Sequence, residues 1–181
     1  KIGAQASAAL RHARGRGLLH RDIKPANLLL DTGGTVWITD FGLAQPIEQV
    51  AESPSLAGTL RYMAPEQFQG KADERSDIYG LGLTLYELVA LQPAFVGGKR
   101  AELMRRAREG DFPPVQDVAP NIPRRLAEII TRATATDPAN RFPSADALTA
   151  AFLGYINDRP VRQYAGGLLR RLFHGRGKTA R

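Results

Sequence analysis

The sequence predicts an α+β fold, mainly helical, with one short β-hairpin in its first quarter. Three observations lead there. Two apolar runs, Leu28-Leu29-Leu30 and Val36-Trp37-Ile38-Thr39, flank the turn-forming stretch Asp31-Thr32-Gly33-Gly34-Thr35, the pattern of two strands joined by a tight turn. From Gly42 onward no further strand pattern occurs. Residues 76–91 are apolar almost all round, which assigns that helix to the middle of a domain rather than its surface. A length of 181 residues suffices for one well-buried domain and is short for two.

Each element has a local reason. Residues 3–14 are Ala-rich with Leu10 and read as a helix, which Gly15 and Gly17 can end. Leu18-Leu19-His20 reads as a short extended segment, followed by a polar loop from His20 to Asn27 that contains Pro25. Residues 43–66 show no periodicity and hold Pro46, Pro54, Gly58 and Pro65, the mark of a long loop, functional or disordered. Ile78, Tyr79, Leu81, Leu83, Leu85, Leu88, Val89 and Leu91 make the central helix. Three more helices are expected near 98–109, 123–135 and 144–156, with Pro123 and Ser144 where helix starts prefer Pro and a Ser cap.

Composition removes several classes of function. There are no cysteines, so disulfides, thiolate metal sites and cysteine nucleophiles are excluded. No run is apolar for about 20 residues, the length a spanning helix needs, and no secretory leader pattern occurs. Because the first residue is Lys1 rather than methionine, a truncated or processed start is expected. Residues 1–158 carry 18 basic and 18 acidic side chains, so the net charge of +7 resides entirely on residues 159–181. A neutral body argues against nucleic-acid binding, which calls for a basic face on the domain.

Three motifs carry chemistry: His20-Arg21-Asp22-Ile23-Lys24-Pro25-Ala26-Asn27, then Asp40-Phe41-Gly42, then Ala64-Pro65-Glu66. Singly, each is weak. Together, with Asn27 leading into the hairpin and Asp40 closing it, they form the ordered signature of protein kinases. Residues 1–156 thus resemble the C-terminal, large lobe of a eukaryotic-type serine/threonine protein kinase of the bacterial kind, and 157–181 stand apart as a basic tail. The resemblance implies a kinase-like fold whose hairpin carries the catalytic and metal-binding loops.

It also implies roles. Asp22 would orient the substrate hydroxyl and accept its proton, and Lys24 would stabilise the moving phosphoryl group. Asn27 and Asp40 would hold Mg2+ against ATP, in keeping with magnesium's demand for hard oxygen ligands. Lys24 within this motif, and Gly58-Thr59 ahead of Arg61, resemble Ser/Thr rather than tyrosine kinases; Thr59 would bond to Asp22 and Lys24. Arg21 would bind a phosphate on the activation loop, where Ser53 and Ser55 are the candidate phosphosites. Asp77 would hold the His20–Asp22 backbone, Glu66 and Arg141 would form a buried ion pair, and His20 and Phe41 would join a hydrophobic stack.

No Gly-rich phosphate loop precedes these motifs, and only 19 residues come before His20. The expectation is a large lobe separated from its ATP-holding small lobe, inactive alone and active in a parent protein that phosphorylates Ser or Thr in protein substrates. The competing reading is a non-catalytic docking module; intact Asp22, Lys24, Asn27 and Asp40 favour catalysis. In the tail, Leu168, Leu169, Leu172 and Phe173 fall at helical spacing beside Arg170, Arg171 and Arg176. That pattern suits an anionic membrane surface, with a solvated tail as the alternative. A cytoplasmic location, or the cytoplasmic face of a membrane, is expected.

Overall fold

The structure, a computed structural model, describes residues 1–41 and 60–158. The expectations for Gly42, Ser53, Ser55, Thr59 and the basic residues of 159–181 lie outside the described residues.

Helix α1 (Ile2–Arg14) buries Gly3, Ala4, Ala6, Ser7, Leu10 and Ala13, a stripe at three- and four-residue spacing. Strands β1 (Leu28–Leu30) and β2 (Val36–Ile38) pair antiparallel, with Leu29 opposite Trp37. Their turn is fixed by Asp31, whose Oδ1 accepts the Thr35 N–H at 2.8 Å, and by Gly34 at φ 83°, a conformation glycine adopts without cost. Helices α2 (Glu74–Ala90), α3 (Arg100–Glu109), α4 (Val115–Val118), α5 (Arg124–Ala133) and α6 (Ala145–Asn157) follow. Short 3-10 turns occupy Pro25–Asn27, Pro65–Gln69 and Pro138–Asn140.

Helix α2 is the axis, with α1, α4, α5 and α6 packed around it. Eleven consecutive residues, Ser76 to Tyr86, are buried, so no face of this segment meets water. Such a helix gains about 1.5–3 kcal/mol from each buried Leu or Ile. Its start is set by Asp73, which accepts the Arg75 N–H at 2.8 Å while its own N–H donates to Ser76 Oγ at 3.2 Å. Ser144 caps α6 in the same manner, accepting the Ala147 N–H at 3.2 Å.

The expected elements recur with three corrections. The central helix begins at Glu74 rather than residue 76, and its last turn is not core: Leu88 is exposed and Leu91, the left-handed cap, is 90% exposed. The third helix starts at Arg100 rather than residue 98, because Gly97 and Gly98 have φ of 65° and 86°. The four-residue α4 was not expected; two prolines, Pro113 and Pro114, precede it and hide its short pattern.

Close packing of α2 on α5 requires Gly82. A Cβ at this position would lie 2.7 Å from Thr134 Cγ2 and 3.0 Å from Ala133 Cβ. Gly82→Ala is therefore expected to lower unfolding free energy by about 1–3 kcal/mol through overpacking, despite alanine's better helix propensity. Urea denaturation of the two forms checks this; an unchanged or raised midpoint would show that α5 yields freely.

Candidate active site

The site begins with a buried carboxylate. Asp77, in the first turn of α2, is 6% exposed. Its Oδ2 accepts the His20 N–H at 2.8 Å and its Oδ1 the Arg21 N–H at 2.6 Å. Burial raises its carboxyl above the usual range, and the two backbone donors offset part of that shift. The bonds hold Arg21 at φ 65°, a left-handed conformation that costs a non-glycine residue about 1–2 kcal/mol. That turn reverses the chain so that the Arg21 side chain is exposed while His20 is fully buried.

His20 then ties this loop to the end of the hairpin. Its Nε2–H donates to the Thr39 carbonyl at 2.7 Å, and its Nδ1 accepts the Asp22 N–H at 3.3 Å. These two bonds select the Nε2–H tautomer. Phe41 meets the imidazole edge-on, ring centroids 4.6 Å apart. Asp40, between them, also sits in the left-handed region at φ 62°, and Thr39 Oγ1 donates to its Oδ2 at 3.3 Å. Two non-glycine residues in sparsely populated backbone conformations thus flank one histidine, the kind of strain that gathers at functional sites.

The reacting cluster lies between these loops. Lys24 Nζ donates to Asp22 Oδ2 at 2.7 Å. Asn27, buried, donates from Nδ2 to the Asp22 carbonyl at 2.8 Å and to Asp22 Oδ2 at 3.2 Å. With its nitrogen committed to Asp22, Asn27 turns its amide oxygen the other way. Thr39 N–H donates to the Asn27 carbonyl at 3.0 Å, which brings the residue before Asp40 beside Asn27. Asp22 Oδ1 is buried and has no hydrogen-bond partner among the described residues. A buried acceptor without a partner is costly, and an incoming hydroxyl would satisfy it.

No group of three or more His, Asp or Glu side chains gathers among the described residues. Asp40 and the Asn27 amide oxygen are the donors available to a cation. One carboxylate and one neutral oxygen fit magnesium, which keeps water and phosphate as its other ligands.

Behind the site, Glu66 and Arg141 form a bidentate pair, with Nη1–Oε1 at 2.6 Å and Nη2–Oε2 at 2.8 Å. Arg141 is 1% exposed, and its other donors reach the carbonyls of Arg75, Ala135 and Thr136. Its guanidinium lies 4.6 Å from the Tyr79 ring centroid. Burial alone would raise the Glu66 carboxyl, but Arg141 and the Ser76 hydroxyl outweigh it and hold the carboxyl below its usual range.

Two connections were missed by sequence reasoning. Gln67 accepts the Ala64 N–H at 2.8 Å and donates to the Arg21 carbonyl at 3.2 Å, joining the third motif to the first. Tyr62 donates to Glu87 at 2.5 Å, fixing the segment before Ala64 to α2. Partners 46 and 25 residues apart leave no local signal in one sequence.

Fold and site together define a protein-kinase large lobe. A family model described as the protein kinase domain matches residues 1–153, and the chain belongs to that family. It is similar to the serine/threonine-protein kinase PrkC of Bacillus subtilis, 34% identical over 82% of this chain and 24% of the relative. It is likewise similar to the serine/threonine-protein kinase PknB of Mycobacterium leprae, 33% identical over 88% of this chain and 26% of that protein. The chain spans about a quarter of the length of these curated relatives.

Removing one partner of the buried pair leaves the other charge stranded. Arg141→Ala is expected to destabilise by about 3–5 kcal/mol, measured by urea denaturation; a loss within 0.5 kcal/mol, the usual scale of surface changes, would contradict it. The pH dependence follows from the lowered Glu66 carboxyl. Its contribution is complete above the unfolded value of about 4.3 and drains as pH falls through the folded value. The stability gap between wild type and Glu66→Gln should therefore narrow as pH drops from about 5 towards 3. A gap constant across that range would assign the loss to packing.

Proposed function

We propose that this chain is the substrate-side half of a serine/threonine protein kinase, transferring the γ-phosphoryl group of ATP to Ser or Thr hydroxyls of protein substrates. The observation that carries this reading is Asp22: one carboxylate oxygen held by Lys24 and Asn27, the other buried and without a partner among the described residues. Asp22 orients the substrate hydroxyl at Oδ1 and takes its proton as the new oxygen–phosphorus bond forms and the bond to the leaving diphosphate breaks. The Lys24 ammonium, held at 2.7 Å from Asp22 Oδ2, offsets charge on the moving group. Asp40 and the Asn27 amide oxygen would hold a divalent cation. When bound, magnesium neutralises charge on the phosphate oxygens.

Arg21 presents its exposed side chain to a phosphate on the following loop, with Ser53 and Ser55 as acceptors and Thr59 as a partner of Asp22 and Lys24. A small lobe in cis completes the ATP site. Leu29, Leu30 and Leu88, all exposed, line one apolar pocket and support such a cover, since a single-domain surface seldom groups large apolar side chains. The basic charge of 159–181 supports contact with an anionic membrane surface, with the kinase on its cytoplasmic face.

Asp22→Asn in the full-length protein that carries this chain should reduce transfer of radiolabelled phosphate to a generic Ser/Thr substrate by about 100-fold or more. The isolated 1–181 chain should transfer little or none. Equal activity of Asp22→Asn and wild type would overturn the assignment of Asp22; vigorous, magnesium-dependent transfer by 1–181 would overturn the need for a small lobe.

A further inference from the structure

The hairpin that presents Asn27 and Asp40 has only two strands, and a two-stranded ribbon is marginally stable by itself. Its outer edge is closed by a side chain. The backbone bonds Asp31 N–H to Thr35 O and Thr39 N–H to Asn27 O fix the alternation of the ladder. Leu30 and Val36 are consequently a non-hydrogen-bonded pair, and the Val36 N–H points away from β1. That N–H donates to Gln5 Oε1 of α1 at 2.8 Å, and Gln5 Nε2 donates to the Gly34 carbonyl at 3.0 Å. One amide side chain thus does what the peptide group of a third strand would do, accepting one bond and giving one.

The same region of α1 also packs on β2 through apolar side chains, Ile2 lining one pocket with Val36 and Leu28. That contact is non-directional and would let β2 slide. The Gln5 amide is directional and sets the register of β2 against α1. The far end of β2 leads into Asp40 four residues on, roughly 13 Å away at about 3.3 Å per residue. Gln5 is therefore out of reach of the metal-holding atoms and acts on them only through the angle of the strand.

We propose that Gln5 is a positioning residue for the metal-holding end of the hairpin, keeping Asp40 aligned with Asn27. The proposal rests on the kinase reading above. Only a primary amide meets both demands: alanine meets neither, and glutamate keeps the acceptor for Val36 but sets a carboxylate against the Gly34 carbonyl.

The test uses the full-length protein with Gln5→Ala and Gln5→Glu, read by hydrogen exchange and by magnesium titration of phosphoryl transfer. In Gln5→Ala, amides of residues 34–38 should exchange roughly fivefold to tenfold faster, while those of α2 stay unchanged. The magnesium concentration for half-maximal rate should rise by about threefold to tenfold, and the KM for protein substrate should hold. Gln5→Glu should fall between Gln5→Ala and wild type on both measures. Unchanged exchange at 34–38 overturns the tether. Faster exchange with an unchanged magnesium requirement overturns its link to the metal, as does an equal rise in exchange across α2, which marks general loosening. Failure of the kinase reading is recognised separately: wild type would itself be inactive, and the inference would fall with it.

Discussion

Everything at the site hangs from one carboxylate. Asp77 is planted in the first turn of a helix that water does not reach, and it grips two successive backbone amides of a loop 56 residues earlier in the chain. Those bonds explain why Arg21 can sit in the left-handed region, why His20 turns inward, and why Asp22 leaves the turn facing Lys24 and Asn27. A carboxylate in this position is destabilised by burial, and the compensation is local geometry: two N–H groups that would otherwise be buried without partners. The arrangement couples the stability of α2 to the shape of the loop, so the core and the site cannot be altered independently.

The histidine extends this frame sideways. Asp77 fixes the backbone of His20, and the imidazole fixes the carbonyl of Thr39. A rigid path therefore runs from α2 through the first motif to the residue preceding Asp40. The Glu66–Arg141 pair performs a comparable task on the opposite side, joining the Pro65–Gln69 turn to the loop before α6 over a separation of 75 residues. Both anchors use buried charge and give it backbone partners: each Asp77 oxygen accepts one N–H, and Arg141 donates to three carbonyls besides Glu66.

What could be read from the sequence was what is written locally. The hairpin was legible because Gly33-Gly34 separates two apolar runs, and α2 because its apolar residues occupy every face. The motif residues were legible through their order and spacing. Three kinds of feature were not. Left-handed backbone at Arg21 and Asp40 has no composition signal, since neither is glycine. The exposure of Leu29, Leu30 and Leu91 runs against the ordinary expectation that leucine marks core. Bonds such as Gln67 to Arg21 and Gln5 to Val36 depend on tertiary placement, and glutamine announces nothing about which distant amide it will meet.

Trp37 is the only tryptophan in the chain, and it stands 59% exposed on β2, its indole N–H bonded to Asp31 Oδ2 at 3.1 Å. An indole so placed is an optical address. Its emission belongs to the hairpin alone, with no contribution from a second indole in the chain to be subtracted. A body that settles over β2 on the Trp37 side displaces water from that ring and shifts its colour, so this strand carries its own dye.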